Sequence, residues 1–193
     1  MGTVMKLVFI ILIIVVSSLN NSDITSEEIS TKGLLTVEQQ NRIFMIHYFE
    51  GDTANALKYL EKVEHDSLKE IILVSLSKQE LYVLEFNHYF NVKFQTLVSG
   101  GKKEGWTPKG EFTIIGKLKT CPSIEYGGTM YKWNGLGKKG VRPGRYAIHG
   151  LLHQKDYEKF LGQPKSHGCV RISNSVADSF YRQTYVGLKV VII

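Results

Sequence analysis

GRYAIHG, residues 144–150, and SHGCVR, residues 166–171, are the two stretches of sequence that constrain the fold most strongly. The first has the composition of a short strand, which we predict to end at His149. The second places Cys169 one glycine away from His167, in a segment that favours a turn. Residues 150–165 lie between His149 and Ser166, so a strand-ending histidine and a turn-borne cysteine could meet in space.

A cysteine and a histidine that meet in this way can form a nucleophilic site. A neutral imidazole takes the thiol proton, and the resulting thiolate is the effective nucleophile. Gly150 and Gly168 let the backbone approach a substrate closely. The amides around Gly168 and Cys169 can donate to an oxyanion. The pattern therefore favours covalent catalysis by Cys169.

Two other interpretations of Cys169 remain open at this stage. The chain has two cysteines, so a disulfide would have to join Cys121 to Cys169. A zinc site would use four nitrogen and sulfur ligands, His149, His153, His167 and Cys169. His149 and His153 would share a helix face only if Gly150 lay inside that helix, and glycine is a poor residue for a helix interior.

Basic residues are concentrated in one part of the chain. The 193 residues carry a formal net charge of +6, with 43% hydrophobic residues, which excludes a chain disordered throughout. Residues 101–145 hold ten lysines and arginines against three acidic residues, so the local excess matches that of the whole chain. A positive surface attracts anions, whether carboxylates, phosphates or nucleic acid. A solvated basic face without a partner is the alternative.

The N-terminal residues have the pattern of a secretory signal. Lys6 precedes the apolar run LVFIILIIVV at residues 7–16, and small residues follow it. The run has ten residues, whereas a membrane-spanning helix needs about 20. We therefore predict that residues 1–19 are a signal peptide or an uncleaved N-terminal anchor, and that the protein is exported to the periplasm or cell wall. A buried N-terminal helix is the alternative.

The remainder of the chain predicts a helical pair followed by a mainly β domain. Thr36 and Asp52 are suited to cap two helices. Short strands are predicted at residues 71–74, 81–86, 90–94, 111–115 and 188–193. Residues 119–145 contain six glycines and three interleaved aromatic residues, which favours a long irregular loop or lid. We divide the chain into residues 1–19, a polar leader and helical pair at 20–67, and the mainly β domain at 68–193.

His149-Gly150 and the SHGCVR stretch, at this separation, closely resemble the active-site signature of L,D-transpeptidases of the YkuD type. Residues 107–112 (TPKGEF) are similar to the family's Thr-Pro-x-Gly entry to a strand, and residues 187–190 (GLKV) to its closing strand. The resemblance covers residues 68–193. It implies a mainly β, L,D-transpeptidase-like β-sandwich catalytic domain, here preceded by a short helical segment.

The resemblance also implies a role for individual residues. Cys169 is the expected nucleophile and His149 its base, with the Gly150 carbonyl orienting the imidazole. An oxyanion hole is expected from the amides of His167, Gly168 and Cys169. Arg171 is expected to face a substrate carboxylate or to hold the loop, with an ion pair to Asp178 as the alternative. Further candidate substrate-binding residues are Ser166, Tyr131 and Trp133. The resemblance implies neither a metal nor a cofactor.

The family's substrate is the peptidoglycan stem peptide. The thiolate is expected to attack the carbonyl at the L-centre of the third stem residue and to expel the terminal D-amino acid. A second stem's amine then resolves the thioester into a 3-3 crosslink, and a wall-anchored protein is a second candidate partner. Alternatives are an L,D-carboxypeptidase, an amidase that releases a wall-linked protein, and a non-catalytic cell-wall binding module. No nucleic-acid partner is expected, because a signal peptide argues against one.

Overall fold

A computed structural model of the chain describes residues 36–65, 68–123, 125–154 and 156–193. The predicted signal or anchor and the polar leader lie outside these residues. The chain forms two compact units, one containing the residues up to Lys69 together with Phe86–Phe90, the other Glu70–Glu85 and Asn91–Ile193. The domain boundary at residues 67 and 68 stays a prediction. No helix in the described ranges is long and apolar enough to cross a membrane.

The first unit contains the helical pair, α1 (Val37–Tyr48) and α2 (Thr53–Glu64). Thr36 caps α1 in a capping box with Gln39, and the Asp52 carboxylate accepts from a main-chain amide in the first turn of α2. Within the same unit the Asn41 side chain donates to the His88 carbonyl at 3.2 Å and accepts from a second main-chain amide. The predicted pair of capped helices is confirmed.

Eight strands in the described chain make up the sheet: β1 (Glu70–Ser75), β2 (Glu80–Asn87), β3 (Tyr89–Ser99), β4 (Gly110–Pro122), β5 (Thr129–Gly137), β6 (Tyr146–Leu152), β7 (Val170–Ile172) and β8 (Lys189–Ile192). A short 3₁₀ helix (Tyr157–Phe160) lies between β6 and β7, and α3 (Asn174–Gln183) lies between β7 and β8. The strands are hydrogen-bonded in the order β1-β2-β3-β7-β6-β5-β4-β8, and β8 pairs with β1 in parallel. The mainly β class is confirmed, and the sheet that we expected as a sandwich closes on itself.

Alternate residues of each strand point into one hydrophobic core. Ile72 and Val74 of β1 lie in it, as do Val170 and Ile172 of β7. α3 adds its own apolar face to the same core, with Phe180 fully buried. The sequence prediction contained no helix at this position. The core therefore packs against one face of β7, the strand that follows Cys169.

Two predicted boundaries are wrong. Residues 119–145 are not mainly irregular, because β4 continues to Pro122 and pairs with β5 as an antiparallel hairpin. Gly127 and Gly128 take positive φ and form the turn of this hairpin. The six glycines of the segment were the reason that an irregular loop was predicted. Strand β6 does not end at His149 but continues to Leu152. His149 is therefore inside the strand: it pairs with Arg171 of β7, and its neighbours Ile148 and Gly150 pair with β5.

Candidate active site

Main-chain hydrogen bonds hold the loop that carries Cys169. The Ser166 amide donates to the Gly100 carbonyl at 2.8 Å, and the Ser166 carbonyl accepts from the Lys102 amide at 2.9 Å. These bonds attach residue 166 to the end of β3 as one more rung of a ladder. The start of the SHGCVR stretch is thereby fixed to the sheet.

Thr107 fixes the same loop from a second direction. Its hydroxyl accepts from the Gly101 amide at 2.8 Å and donates to the Gly168 carbonyl at 2.7 Å, and its side chain is buried. A buried hydroxyl with both a donor and an acceptor partner is fully satisfied. Thr107 therefore joins the TPKG stretch to the residue that precedes Cys169, a contact that the sequence analysis did not predict.

Gly168 takes a conformation and a position that exclude any side chain. Its φ is +133°, and a Cβ there would lie 2.7 Å from the Trp106 carbonyl oxygen. Its amide donates to the Ser166 Oγ at 2.9 Å. The Gly168 amide is thus occupied within the loop, and Ser166 is fully buried, holds the loop and also lines the cavity described below. The oxyanion role of Gly168 and the substrate-binding role of Ser166 stay predictions. The amides of His167 and Cys169 make no loop hydrogen bond to another main-chain group in the described chain.

His149 on β6 is a neutral, oriented base. The side chain is 3% exposed, and burial lowers its pKa to about 4, so the imidazole is uncharged at neutral pH. Its Nδ1 lies 2.7 Å from the Gly150 carbonyl oxygen. Because a carbonyl only accepts, Nδ1 carries the proton and Nε2 keeps its lone pair. The predicted orienting contact between His149 and Gly150 is present.

Cys169 is a protonated thiol in the resting protein. Burial raises the pKa of the thiol, against a smaller opposing effect of the Ala147 amide and of the nearby arginine charges. The Sγ donates to the Arg145 carbonyl at 3.9 Å. A raised thiol pKa beside a lowered imidazole pKa favours the neutral pair over a thiolate–imidazolium ion pair. A nucleophilic reaction here would need base assistance at the moment of attack.

His149 and Cys169 line one cavity of about 290 Å³. Three guanidinium groups also line it, from Arg142, Arg145 and Arg171, against the single carboxylate of Glu125. Such a lining favours an anionic ligand, and the planar guanidinium suits a carboxylate. Arg142 and Arg145 belong to the basic segment at 101–145, but neither was predicted from the sequence to lie at the site.

Arg171 lines this cavity and forms no ion pair with any acidic residue that the structure describes. Its strand, β7, pairs in parallel with β6, and Arg171 lies directly across from His149. Burial lowers the pKa of its guanidinium. The alternative ion pair to Asp178 is not formed: Asp178 instead bonds the Lys132 ammonium at 2.7 Å and the Tyr131 hydroxyl at 2.7 Å.

Tyr131 and Trp133 lie on opposite sides of β5. The register shifts between residues 131 and 134, and Lys132 takes a φ of +53°. This bulge turns the Trp133 ring toward the cavity, which it lines, and leaves Tyr131 on α3 through Asp178. The structure brings Trp133 to the site and places the other predicted aromatic residue, Tyr131, away from it.

The turn of the β4–β5 hairpin contacts the loop of residues 166–171 by ring stacking. The Tyr126 ring lies 4.2 Å from the His167 ring with an interplanar angle of 9°, and Trp106 stacks on His167 at 5.7 Å. His167 is otherwise exposed. Its side chain therefore anchors the hairpin through Tyr126, a contact that was not predicted from the sequence.

The alternatives for Cys169 are not assembled. Both cysteines are free thiols, although Cys121 lines the same cavity. Across the described ranges, no three His, Cys, Asp or Glu side chains come together in a group that could hold a metal ion. The four candidate zinc ligands are thus not gathered into one site.

The fold is a closed, mainly β sheet whose cavity is lined by both a histidine and a cysteine, and comparisons with known proteins identify its family. Residues 69–193 match the family model of the YkuD L,D-transpeptidase catalytic domain. The chain belongs to this family, and the predicted resemblance is confirmed. No curated protein matches the chain.

Solved structures share the fold at low sequence identity. An L,D-transpeptidase from Mycobacterium smegmatis superposes with a TM-score of 0.51 at 20% identity, over 65% of this chain and 58% of its own. A cysteine-to-serine mutant of the Enterococcus faecium L,D-transpeptidase gives 0.51 at 21%, over 65% and 50%. An L,D-transpeptidase in complex with imipenem gives 0.52 at 20%, over 65% and 59%. The chain thus spans only half to three-fifths of the length of these proteins.

Proposed function

We propose that the protein is an exported cysteine transpeptidase that acts on peptidoglycan stem peptides, with Cys169 as nucleophile and His149 as base. The observation that carries the proposal is the neutral His149–Cys169 pair at a cavity lined by three arginines. A binding module without turnover needs neither a base with a free lone pair nor a thiol at the same cavity. Membership of the L,D-transpeptidase family supports the reaction class.

In the acylation step, the His149 Nε2 takes the thiol proton while the Cys169 sulfur attacks the carbonyl carbon of the scissile amide. A carbon–sulfur bond forms, and charge develops on the carbonyl oxygen, toward which the amides of His167 and Cys169 can donate. The carbon–nitrogen bond then breaks, and the imidazolium gives its proton to the leaving amine. A stem thioester and a free D-amino acid result.

In the second step an acceptor amine attacks the thioester. His149 takes a proton from the amine, a new amide forms, and the thiol leaves with the proton held by the imidazolium. If water replaces the amine, the same cycle releases a shortened stem instead. The floor of the cavity, residues 145–151 and 166–171, supplies the same groups for transpeptidation and for hydrolysis. The acceptor must therefore be selected by other lining residues, including Tyr126, Trp133 and Arg142.

The test is incubation of the protein with disaccharide-tetrapeptide, followed by mass spectrometry of the products. Transpeptidation gives a dimer lacking one D-amino acid, whereas hydrolysis gives a tripeptide monomer, and Cys169→Ala is the blank. Release of a wall-linked protein, the amidase alternative, would need a third substrate, a protein-loaded muropeptide. If none of these substrates is converted and no thioester is trapped, the proposal fails.

Carbapenems provide a substrate-independent test of the nucleophile. A relative is known in complex with imipenem, and we propose that the same compound acylates Cys169, since its strained lactam resembles the scissile amide. Intact mass should show one adduct per chain, mapped by digestion to the peptide containing residues 166–171. An unmodified protein after prolonged incubation would argue against the site.

Export rests on residues 1–19 alone. Expression of the full chain in a bacterial host, followed by fractionation and N-terminal mass determination, tests it. We expect the protein outside the cytoplasm, either shortened at the N-terminus or retained at the membrane by an uncleaved segment. A full-length cytoplasmic product would refute this part of the proposal.

A further inference from the structure

We infer that Asn174 is a positioning residue for the base His149, acting through the single peptide group that joins Gly150 to Leu151. This inference rests on the proposed role of His149. The carbonyl of that peptide group accepts from His149 Nδ1 at 2.7 Å, and its N–H, which belongs to Leu151, donates to Asn174 Oδ1 at 3.0 Å. The two bonds leave opposite edges of one planar unit.

The planarity of the peptide bond couples these two hydrogen bonds. A carbonyl and the following N–H cannot rotate independently, because partial double-bond character keeps their atoms close to one plane. A side chain that fixes the direction of the Leu151 N–H therefore also fixes the direction of the Gly150 carbonyl. That carbonyl decides which ring nitrogen of His149 carries the proton.

Asn174 grips this backbone at two points. Its Nδ2 also donates to the Leu151 carbonyl at 2.7 Å, so its amide meets Leu151 as a neighbouring strand would. A Cβ on residue 150 would overlap the Asn174 Oδ1, although Gly150 has no positive φ. Glycine is thus required at 150 for space, so that the amide can reach the peptide group.

Both the side chain and the main chain of Asn174 are held by hydrogen bonds. The Tyr157 hydroxyl lies 3.0 Å from its Oδ1 and 2.8 Å from the Ile172 carbonyl, and burial raises the pKa of Tyr157, which keeps the hydroxyl protonated. The main-chain amide of Asn174 donates to the Glu158 carboxylate at 2.7 Å, at the N-terminus of α3. The 3₁₀ helix and α3, which carry no reacting group, therefore determine the geometry of the base.

The tautomer of His149 is the direct readout. In Asn174→Ala the peptide group is freed on one side, and we expect the Nδ1-protonated form seen by ¹⁵N NMR to give way to a mixture of both tautomers. The signals of His149 are identified among those of the six histidines by comparison with His149→Gln, which lacks them. The rate of imipenem acylation should fall about 10- to 100-fold at saturation, with little change in the half-saturating concentration.

Two further variants separate positioning from stability. Asn174→Asp keeps the acceptor for the Leu151 N–H and should keep the Nδ1-protonated form, even if Asn174→Ala fails to fold. Asn41→Ala is the matched control, because Asn41 clamps two main-chain groups of the first unit in the same way and lines no part of the cavity. It should lower stability and leave the His149 signals unchanged.

The inference is overturned if a folded Asn174→Ala protein keeps both the tautomer and the acylation rate of the wild type. It is also overturned if Asn174→Asp, folded, shows the same tautomer mixture as His149 in a denatured chain. Because the NMR signals do not depend on turnover, a protein without transpeptidase activity can still show the positioning effect. Failure of the proposed function is therefore seen separately.

Discussion

The cavity has two walls, called here the floor and the hairpin, and different kinds of interaction hold them in place. The floor, residues 145–151 and 166–171, is fixed by main-chain bonds, by Thr107 and by a glycine that tolerates no side chain. The hairpin, residues 121–133, reaches the floor through the Tyr126–His167 ring stack and contributes aromatic rings. Each wall carries one of the two cysteines. On the function proposed above, the floor would perform the chemistry and the hairpin would select the ligand.

The largest effect should separate the two cysteines. Cys169→Ala removes the nucleophile from the floor and should abolish adduct formation with imipenem, while Cys121→Ser on the hairpin should retain it. Intact-mass spectrometry measures both variants. Loss of acylation in both, together with a non-reduced mass two units below the reduced mass, would favour a disulfide and contradict the division of roles.

The base comes next. His149→Gln should slow acylation by about 10²- to 10⁴-fold, because base assistance is lost, whereas His153→Gln, exposed beyond the end of β6, should have little effect. Time courses of imipenem acylation give the rates of the two variants. Stoichiometric zinc by elemental analysis, with equal losses in the two variants, would instead indicate a metal site.

The buried base should also make the protein sensitive to acid. The folded pKa of His149, about 4, lies below its ordinary value of 6.5, so the unfolded chain binds this proton first as the pH falls. Stability is therefore fully present above pH 6.5 and is lost as the pH falls through about 4, by about 3 kcal/mol. Urea unfolding of the wild type and of His149→Gln between pH 4 and 7 measures the difference. Parallel curves would show that the base is not buried in its neutral form.

Thr107→Val should weaken the floor. It leaves the Gly101 amide and the Gly168 carbonyl buried without a partner, which costs about 1–3 kcal/mol. Thr113→Val, at a half-buried position on β4, is the matched control and should change the unfolding free energy by less than about 0.5 kcal/mol. Equal effects of the two changes in urea unfolding would mean that Thr107 is not a clamp.

The smallest effect is expected on the hairpin. Tyr126→Leu removes the stack on His167, which is worth about 0.5–1.5 kcal/mol, so the half-saturating imipenem concentration should change a few-fold while the maximal acylation rate stays the same. Tyr89→Leu, at another exposed tyrosine, is the control. A fall in the maximal rate alone would move Tyr126 to the chemistry of the floor.

Much of the floor was predictable from sequence because its chemistry is local. His149-Gly150 carries the proposed base next to its orienting carbonyl, and the SHGCVR stretch carries the thiol with its loop glycine, so each short stretch can be recognised by itself. The bond from the Gly168 amide to the Ser166 hydroxyl was not predicted, because a short hydroxyl can turn back on its own loop as easily as it can reach a ligand. Thr107 and Asn174 were missed as supports, since their partners are distant in sequence and only the closed sheet brings them together.

The hairpin was less predictable, because the side of β5 on which each of its aromatic side chains lies depends on one backbone dihedral, that of Lys132. Alternation along β5 would place Tyr131 and Trp133 on the same side, and the bulge at Lys132 separates them. Its glycines suggested an irregular loop, yet two of them form the turn of a regular hairpin. α3 had a sequence signal in the Ser173 cap and in the spacing of Ala177 and Phe180, which the prediction did not use.

The parallel pairing of β8 with β1 has a consequence for how the chain is made. Until residues 189–192 leave the ribosome, β1 and β4 each present a row of unpaired main-chain groups, because β8 is the strand that pairs with both. Such open edges template aggregation. Contacts this distant in sequence also form late and slowly. The nascent chain therefore spends its synthesis in an aggregation-prone state, and a truncation that removes β8 should be degraded or precipitate even though Cys169 and His149 are intact.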